Sequence, residues 1–484
     1  MDKRQTTPWA WIPTLYMAEG APYFAVNTLA MLFLSEMGLS NTDVALYTSW
    51  MYLPWVIKPF WSPILDLFGS KKMWVVVMQF IVAIALGGVA FTAPCDFWLN
   101  ASLAFFWLCA FASATHDIAA DGLYILALDT NQQSFFVGIR NTFYRISTVL
   151  CQWGCLVLAG QLFEKNTVDG MDVIPAHASA WSTVFYIMAI AFLFLSVYHF
   201  AFLPNDKKTV ETYGRTSRDG RTSGDETLSI GDGRASDDEM LSVETYGRTF
   251  QDGRTSQNGT DAQNTVGLDG IVASLKNNFK SFFAKFTGRE LILALLFIFT
   301  YRLGEAQLGK IAQLFLKDTY ENGGLGLSLT DVGNIYGLVG VIALMTGGVL
   351  GGIAVSRYGL KKMMFPMLLF MNIPNVVYIF LSSTQTAFLP TIYTMVAIEQ
   401  FGYGFGFTAF TLYLVYISQG KYSTTHYAIC TGLMALGMMI PGMIAGYMQE
   451  TLGYTNFFVW VCICTIPPFF IAPLLKIDRE FGVK

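Results

Sequence analysis

Apolar runs of membrane-spanning length recur along almost the whole chain, each bounded by a short polar or basic stretch. A helix crosses a bilayer in about 20 residues. On that measure the pattern predicts twelve spans, at roughly 10–35, 44–66, 72–93, 98–128, 135–161, 181–203, 290–316, 331–355, 362–383, 388–418, 425–449 and 456–476. The pattern breaks once. Residues 205–265 are Gly, Ser, Thr, Asp, Arg and Glu with hardly an apolar side chain, too little to bury a core, so this stretch is predicted to be disordered. It also repeats itself: Val210-Glu-Thr-Tyr-Gly-Arg-Thr216 returns as Val243-Glu-Thr-Tyr-Gly-Arg-Thr249. A linker accounts for such composition, and a regulatory or partner-binding loop of a membrane sensor or scaffold is the alternative. Between Ile271 and Phe286 apolar residues return at helical spacing with Lys276, Lys280 and Lys285 among them, as in an interfacial helix. The organisation read from this pattern is a six-helix half over 1–204, a low-complexity linker with a short amphipathic helix over 205–289, and a second six-helix half over 290–484.

Charge orients the spans. Lys3, Arg4, Lys71, Lys72, Arg357, Lys361, Lys362, Lys421, Lys476, Arg479 and Lys484 flank one side, and the opposite loops offer Lys165 and Lys317. Positive loops stay in the cytoplasm, so both termini are expected there, with the protein multi-pass in the inner (plasma) membrane. Only 13% of the 484 residues are charged, against about 25% in soluble domains. The net charge of −4 argues against a nucleic-acid partner, which would want a basic face. Cys95, Cys109, Cys151, Cys155, Cys430, Cys462 and Cys464 sit in or beside apolar runs without metal-ligand spacing and read as small apolar residues. No phosphate loop or nucleophile–base pattern appears, so neither an enzyme, a metal nor a cofactor is expected.

Ionisable residues inside the spans carry the candidate chemistry. The fourth span contains His116, Asp117 and Asp121, and the two acids are one helical turn apart on one face. A carboxylate facing lipid costs a few kcal/mol or more, so these groups face protein or water and mark a solute or ion path. Glu19 lies in the first span beside Gly20 and Pro22; the fifth carries Arg140, Tyr144 and Arg145; the seventh carries Arg302, Glu305 and Lys310; the tenth carries Glu399. Arg145 is the expected counter-charge of the two aspartates. Such opposite charges are either structural ion pairs or, where a pair opens and closes, sites that take up and release protons. Tyr23, Phe24, Trp50, Tyr52, Trp55, Trp61, Tyr403 and Tyr413 are candidates for stacking on sugar rings, although most aromatics in such a chain are packing.

An internal repeat relates the halves. Ser62-Pro-Ile-Leu-Asp66-Leu-Phe-Gly69-Ser-Lys71-Lys72 follows the second span, and Gly352-Ile-Ala-Val-Ser356-Arg357-Tyr-Gly359-Leu-Lys361-Lys362 follows the eighth at the same offset. Both resemble the G-x-x-x-D-x-x-G-R-K loop of the major facilitator superfamily. That resemblance implies an all-α membrane fold of twelve helices in two six-helix halves, and a conformational latch built from Asp66, Gly69, Lys71, Lys72, Arg357, Gly359, Lys361 and Lys362. A narrower likeness rests on Lys58-Pro-Phe-Trp-Ser-Pro-Ile-Leu-Asp66, Ala112-Ser-Ala-Thr-His-Asp-Ile118 with Asp121, Tyr301-Arg-Leu-Gly-Glu305, Ile398-Glu-Gln-Phe-Gly-Tyr-Gly-Phe-Gly406 and Pro441-Gly-Met-Ile-Ala-Gly446. Together these are similar to the AmpG-type muropeptide permeases. The chain departs from that family in having His116 for a usual Gln, no Lys or Asp in Gly122–Leu126, and Glu19 for a small residue.

The resemblance implies a proton-driven importer of anhydromuropeptides. The expectation for this chain is a monomer that imports these or related amino-sugar saccharides with protons, with facilitated diffusion or Na⁺ coupling as the alternatives. Its partners would be the solute, protons and the bilayer. His116, Asp117, Asp121, Arg145, Glu19, Arg302, Glu305 and Glu399 would serve as its proton and substrate groups. Another anionic metabolite or acetyl-coenzyme A is the alternative cargo.

Overall fold

The computed structural model describes residues 7–205, 276 and 279–482, apart from 68, 129 and 420–422. The repetitive stretch, and with it most of the expected linker, lies outside the described residues. Regular structure among the described residues is helical throughout and follows the predicted segments in order. In the first half, α1 comprises Ile12–Phe24, a π segment Ala25–Leu29 and Ala30–Glu36, and α2 comprises Asn41–Trp50 and Leu53–Leu67. Next come α3 (Lys71–Thr92) and α4 (Trp98–Ala127). Then α5 runs through Thr130–Val149, a π segment Leu150–Cys155 and Leu156–Val168, and α6 is Val173–Phe202.

In the second half, α7 is Gly288–Tyr301 and Leu303–Lys317, and α8 is Leu329–Val332, the π segment Gly333–Gly340 and Val341–Tyr358. Helix α9 is Leu360–Asn372 and Val376–Thr384 about a 3-10 turn, and α10 is Leu389–Ser418. The last run, Ser423–Cys464, is divided at Gly453 (φ 72°) into α11 and α12. Nine helices among the described residues are long and apolar enough to cross a membrane, the α11–α12 run being one of them. Helices α1 and α2 are not in that set.

Local signals set several helix starts. Ser40 and Ser70 cap α2 and α3 by accepting from the Asp43 and Met73 amides, and Thr287 with Glu290 forms a capping box on α7. The repeated loop glycines are explained by backbone. Gly69 (φ 76°) and Gly359 (φ 82°) both turn in the left-handed region, where a side chain is strained. The two loop copies then diverge. Lys71 is buried with its stem against Gly122, and Lys72 donates to the Leu203 carbonyl (2.8 Å), whereas Arg357, Lys361 and Lys362 are exposed. The Asp66 side chain lies outside the described residues.

Both described chain ends sit at one end of the bundle, the termini end; the other is the far end. Helix α1 packs on α5, α3 on α4 and α6, and α8 and α9 on α10, while α2 against α11 and α5 against α8 join the halves. At the far end the halves share one apolar core, reaching from Met31–Leu34 of α1 to Leu314–Leu316 of α7 and Phe457 and Phe458 of α12. At the termini end the cores are separate. One gathers Trp11, Tyr16, Leu123 and Tyr124 of the first half, the other Tyr301, Met364, Phe410 and Tyr413 of the second. The short helix at 279–284 belongs to the second of these through Phe282, and Lys285 donates to the Ile417 carbonyl (3.2 Å). From there Phe279 stacks on Phe60 of α2, in the first half, at 5.5 Å between ring centres.

Candidate functional site

Two ion pairs join separate helices of the first half. Lys58 of α2 pairs with Asp117 of α4, and Arg140 of α5 reaches Asp121 of α4 at 3.2 Å. The four side chains are 21–29% exposed, so water reaches them deep among apolar helices. Tyr16 of α1 completes the second pair. Its hydroxyl donates to Asp121 (3.2 Å) and accepts from Arg140 (3.0 Å), whose guanidinium also lies over the Tyr16 and Tyr124 rings at 4.7 and 5.1 Å. Glu19, less than a turn along α1 from Tyr16, lies in the combined field of Asp117, Asp121, Arg140 and Lys58, and its Oε2 is buried without a hydrogen-bond partner.

The spacing of the two aspartates holds in space, but their expected counter-charge is different. Arg145 pairs with neither, and Lys58 and Arg140 take that role. Five residues along a helix turn it by about 500°, so Arg140 and Arg145 stand about 140° apart and only one can face α4. Arg145 instead lies within electrostatic reach of Tyr144 and, across the halves, of Tyr403. His116 also leaves the cluster, because adjacent helical residues point about 100° apart. It is buried, with Nε2 2.9 Å from the Gln79 amide nitrogen. The Gln79 oxygen meets His199 Nδ1 at 2.9 Å, and His199 Nε2 meets Thr14 at 2.9 Å, a polar chain inside the first half.

The second half is arranged differently. Arg302 occupies a break in α7, non-helical at φ −107° and ψ 12°, and its Nε donates to Glu305 on the same helix (2.8 Å). Its Nη2 donates to the Tyr403 hydroxyl (2.8 Å) and its guanidinium lies over Phe407 (4.8 Å). Both Arg302 and Glu305 act electrostatically on Tyr23 and Tyr52 of the first half, so the two walls face each other. Tyr23 makes edge contacts with Phe24 and Trp55 at 5.3 and 5.2 Å. Glu399 is withdrawn from the opening, 3% exposed, accepting from Tyr378 (3.3 Å) and Gln400 (2.9 Å). Tyr413, offered as a stacking ring, is likewise buried in the core of its half.

Lys58 and Arg140 are not among the expected proton and substrate groups, although each is a basic residue inside an apolar run. Helix irregularities mark the same region: the π segments of α1, α5 and α8 and the breaks of α2 at Met51–Tyr52 and of α7 at Arg302 all fall in helices that line or join the two walls.

The far end is shut by contacts between halves. Asn41 donates to Gln449 (2.7 Å) and Tyr454 (3.0 Å), Thr42 to Glu450 (2.5 Å), and Trp153 to Asn334 (2.9 Å). Lys317 of α7 reaches Glu36 of α1 at 2.7 Å, and His177 of α6 holds the other oxygen of Glu36 at 2.5 Å. At Gly446 a Cβ would stand 2.0 Å from the Asn41 carbonyl, so only glycine permits that crossing of α11 and α2. Two recesses of about 370 and 310 Å³ flank this closure, the larger lined by Asn41, Leu314, Lys317 and Gln449 among others.

The chain matches the Major Facilitator Superfamily over residues 14–446. A Rickettsia conorii protein designated transporter AmpG 4 is 24% identical over 476 residues, covering 96% of this chain and 95% of its own. The crystal structure of nucleoside transporter NupG superposes with a TM-score of 0.62 at 13% identity, covering 98% of this chain and 100% of that one. That of a D-xylose-proton symporter gives 0.62 at 11% identity, covering 98% and 97%. At these identities the structural likeness is one of fold.

Proposed function

The chain belongs to the Major Facilitator Superfamily, and on that premise we propose that it imports a sugar-containing solute with protons, by rocking its halves about the charged cavity. It is a multi-pass membrane transporter of small molecules rather than an enzyme. The cargo class we assign is cell-wall-derived muropeptides or related amino-sugar saccharides. This reading is supported by the motifs shared with AmpG-type permeases and by the AmpG designation of a relative matching along nearly its full length. The membrane is the inner one, the termini are cytoplasmic by the distribution of Lys and Arg, and the protein acts as a monomer. In that orientation the cavity opens to the cytoplasm.

The observation that carries proton coupling is the carboxylate count around Asp117 and Asp121. Glu19, Asp117 and Asp121 share Lys58 and Arg140, and one oxygen of Glu19 has no partner. Three acids with two bases leave one negative charge to be balanced, and a proton is the smallest cation that does so. Opening either cross-helix pair changes which carboxylate holds it. Uptake of labelled anhydro-disaccharide into proteoliposomes, with and without an imposed pH gradient, tests this. Gradient-driven uptake that falls at least tenfold in Asp117→Asn or Asp121→Asn supports both cargo and coupling. Uptake that ignores the gradient and survives both substitutions sinks the coupling, and a folded protein that takes up no sugar sinks the cargo.

A further inference from the structure

The most deeply buried cation of α7 is not used by the site described above. Lys310 is 5% exposed, and its Nζ donates to Thr48 of α2 (3.0 Å) and lies over the Tyr52 ring at 5.1 Å. Its neighbours on α7 are matched: Arg302 with Glu305 and Lys317 with Glu36. Among the described residues no carboxylate stands within ion-pair distance of Lys310. An ammonium has three donors and loses much free energy when buried without a counter-charge. Thr48 uses its own proton on the Val44 carbonyl (2.7 Å), so its lone pair receives Lys310, and the Tyr52 face receives a second donor direction. The third has no described acceptor.

A second polar group waits beside it. Ser49 is fully buried and its Oγ has no hydrogen-bond partner. Gly442 of α11 faces both: a Cβ there would stand 2.6 Å from Ser49 Oγ and 3.6 Å from Lys310 Cε. The spot also lies between the halves, with Thr48 and Ser49 on α2 and Lys310 and Gly442 on α7 and α11. One turn further along α7, Leu314 lines the larger far-end recess.

We propose that Lys310, with the Ser49 hydroxyl, is the receptor for a carboxylate of the cargo, exposed when the halves part at the far end. This rests on the transport reading above. Parting the halves breaks the Lys310–Thr48 bond and turns the ammonium toward the recess, where an entering anion replaces Thr48. One ammonium and one hydroxyl suit a monoanion; a phosphate dianion wants more charge and a forked donor set.

Two measurements test it on the full-length protein. The first is the ratio of uptake for the anhydro-disaccharide with its free carboxylate to that for its carboxamide. We expect at least about tenfold in favour of the carboxylate, a ratio near one in Lys310→Gln, and recovery of preference in Lys310→Arg. A proportionate loss of both compounds in Lys310→Gln, with the ratio kept, overturns the proposal. The second measurement does not depend on the cargo. Ser49→Cys, with the native cysteines replaced, is treated from the far side with anionic and cationic methanethiosulfonates. The anionic reagent should react about tenfold faster, and Lys310→Gln should erase the difference. Equal rates with Lys310 present overturn the proposal even if wild type takes up neither sugar, an outcome that would itself condemn only the cargo.

Discussion

The two ends of the bundle are built from different materials. At the far end one apolar core runs through both halves, and backbone-close glycine contacts, hydrogen bonds and the Glu36–Lys317 pair cross between them. At the termini end each half keeps its own core, and the ion pairs lie within a half: Lys58–Asp117 and Arg140–Asp121 in the first, Arg302–Glu305 in the second. The far end is therefore closed by packing and contacts between the halves, and on the termini side each half presents its own partly exposed charged groups. The halves still meet toward that side where α2 packs on α11, a Cβ at Gly432 standing 3.1 Å from the Val56 carbonyl, and where Phe279 stacks on Phe60.

Substitutions can break or sharpen that contrast. The largest expected effect is at the seal. Gly446→Leu drives a side chain into the Asn41 carbonyl, 2.0 Å from where its Cβ would lie. Overpacking of this kind costs about 1–3 kcal/mol, which would shift the equilibrium between closed and open far end by roughly 5–150-fold. Far-side thiol labelling of a cysteine placed at Ser35 should rise accordingly, while uptake falls. Unchanged labelling would mean that α2 and α11 do not form the seal.

Next come the walls. Asp121→Asn takes the carboxylate from Arg140, which keeps the Tyr16 hydroxyl and the Tyr124 ring, and Asp117→Asn takes the carboxylate from Lys58. These pairs lie between exposed and buried, so each loss should cost about 1–3 kcal/mol. In a Lys58→Gln, Asp117→Asn cycle, the double variant should be less impaired in stability than the sum of the singles by about 1 kcal/mol, read from thermal melts. Additive losses would deny the pair.

A smaller change is expected in Glu36→Gln, which keeps the shape of the seal and removes its cross-half charge pair. Far-side labelling at Ser35→Cys should increase by about tenfold or less, since one largely buried pair is worth on the order of 1 kcal/mol after its desolvation. An effect equal to that of Gly446→Leu would make charge, not packing, the basis of the seal. The smallest is Phe60→Ala. Its ring is more than half exposed, so losing the stack with Phe279 should change uptake by about twofold at most, at the low end of aromatic-pair energies. A large loss would promote the segment around 279–286 to a working strap across the mouth.

Hydrophobic periodicity along the chain was enough to place the helical segments in order, because every span must be apolar over about 20 residues whatever it packs against. The duplicated loop likewise announced two related halves, and the left-handed backbone at Gly69 and Gly359 gives the physical reason for its two glycines. Asp117 and Asp121 could be placed on one face from their four-residue spacing alone. The same arithmetic turns His116 away from them and separates Arg140 from Arg145, although the expectation from sequence keeps His116 in the cluster and makes Arg145 the counter-charge.

What sequence could not supply were partners on other helices. Lys58 and Asp117 lie on α2 and α4, Arg140 and Asp121 on α5 and α4, and which basic residue meets which acid depends on helix rotation and crossing. Those are set by packing over many residues, such as the close approach of Gly20 on α1 to Ser147 and the Tyr144 carbonyl on α5. Burial followed the same rule. Glu399 resembles Glu305 as an intramembrane acid, yet Tyr378 and Gln400 enclose it in the packed half. Lys310 resembles Arg302, yet the meeting of the two halves encloses it beside Thr48. The amino-acid sequence determined which segments leave water, because that choice is local and repeated along each span. Which charges face one another, and which end of the cavity is closed, came only from tertiary structure, because both depend on distant segments meeting at ångström distances.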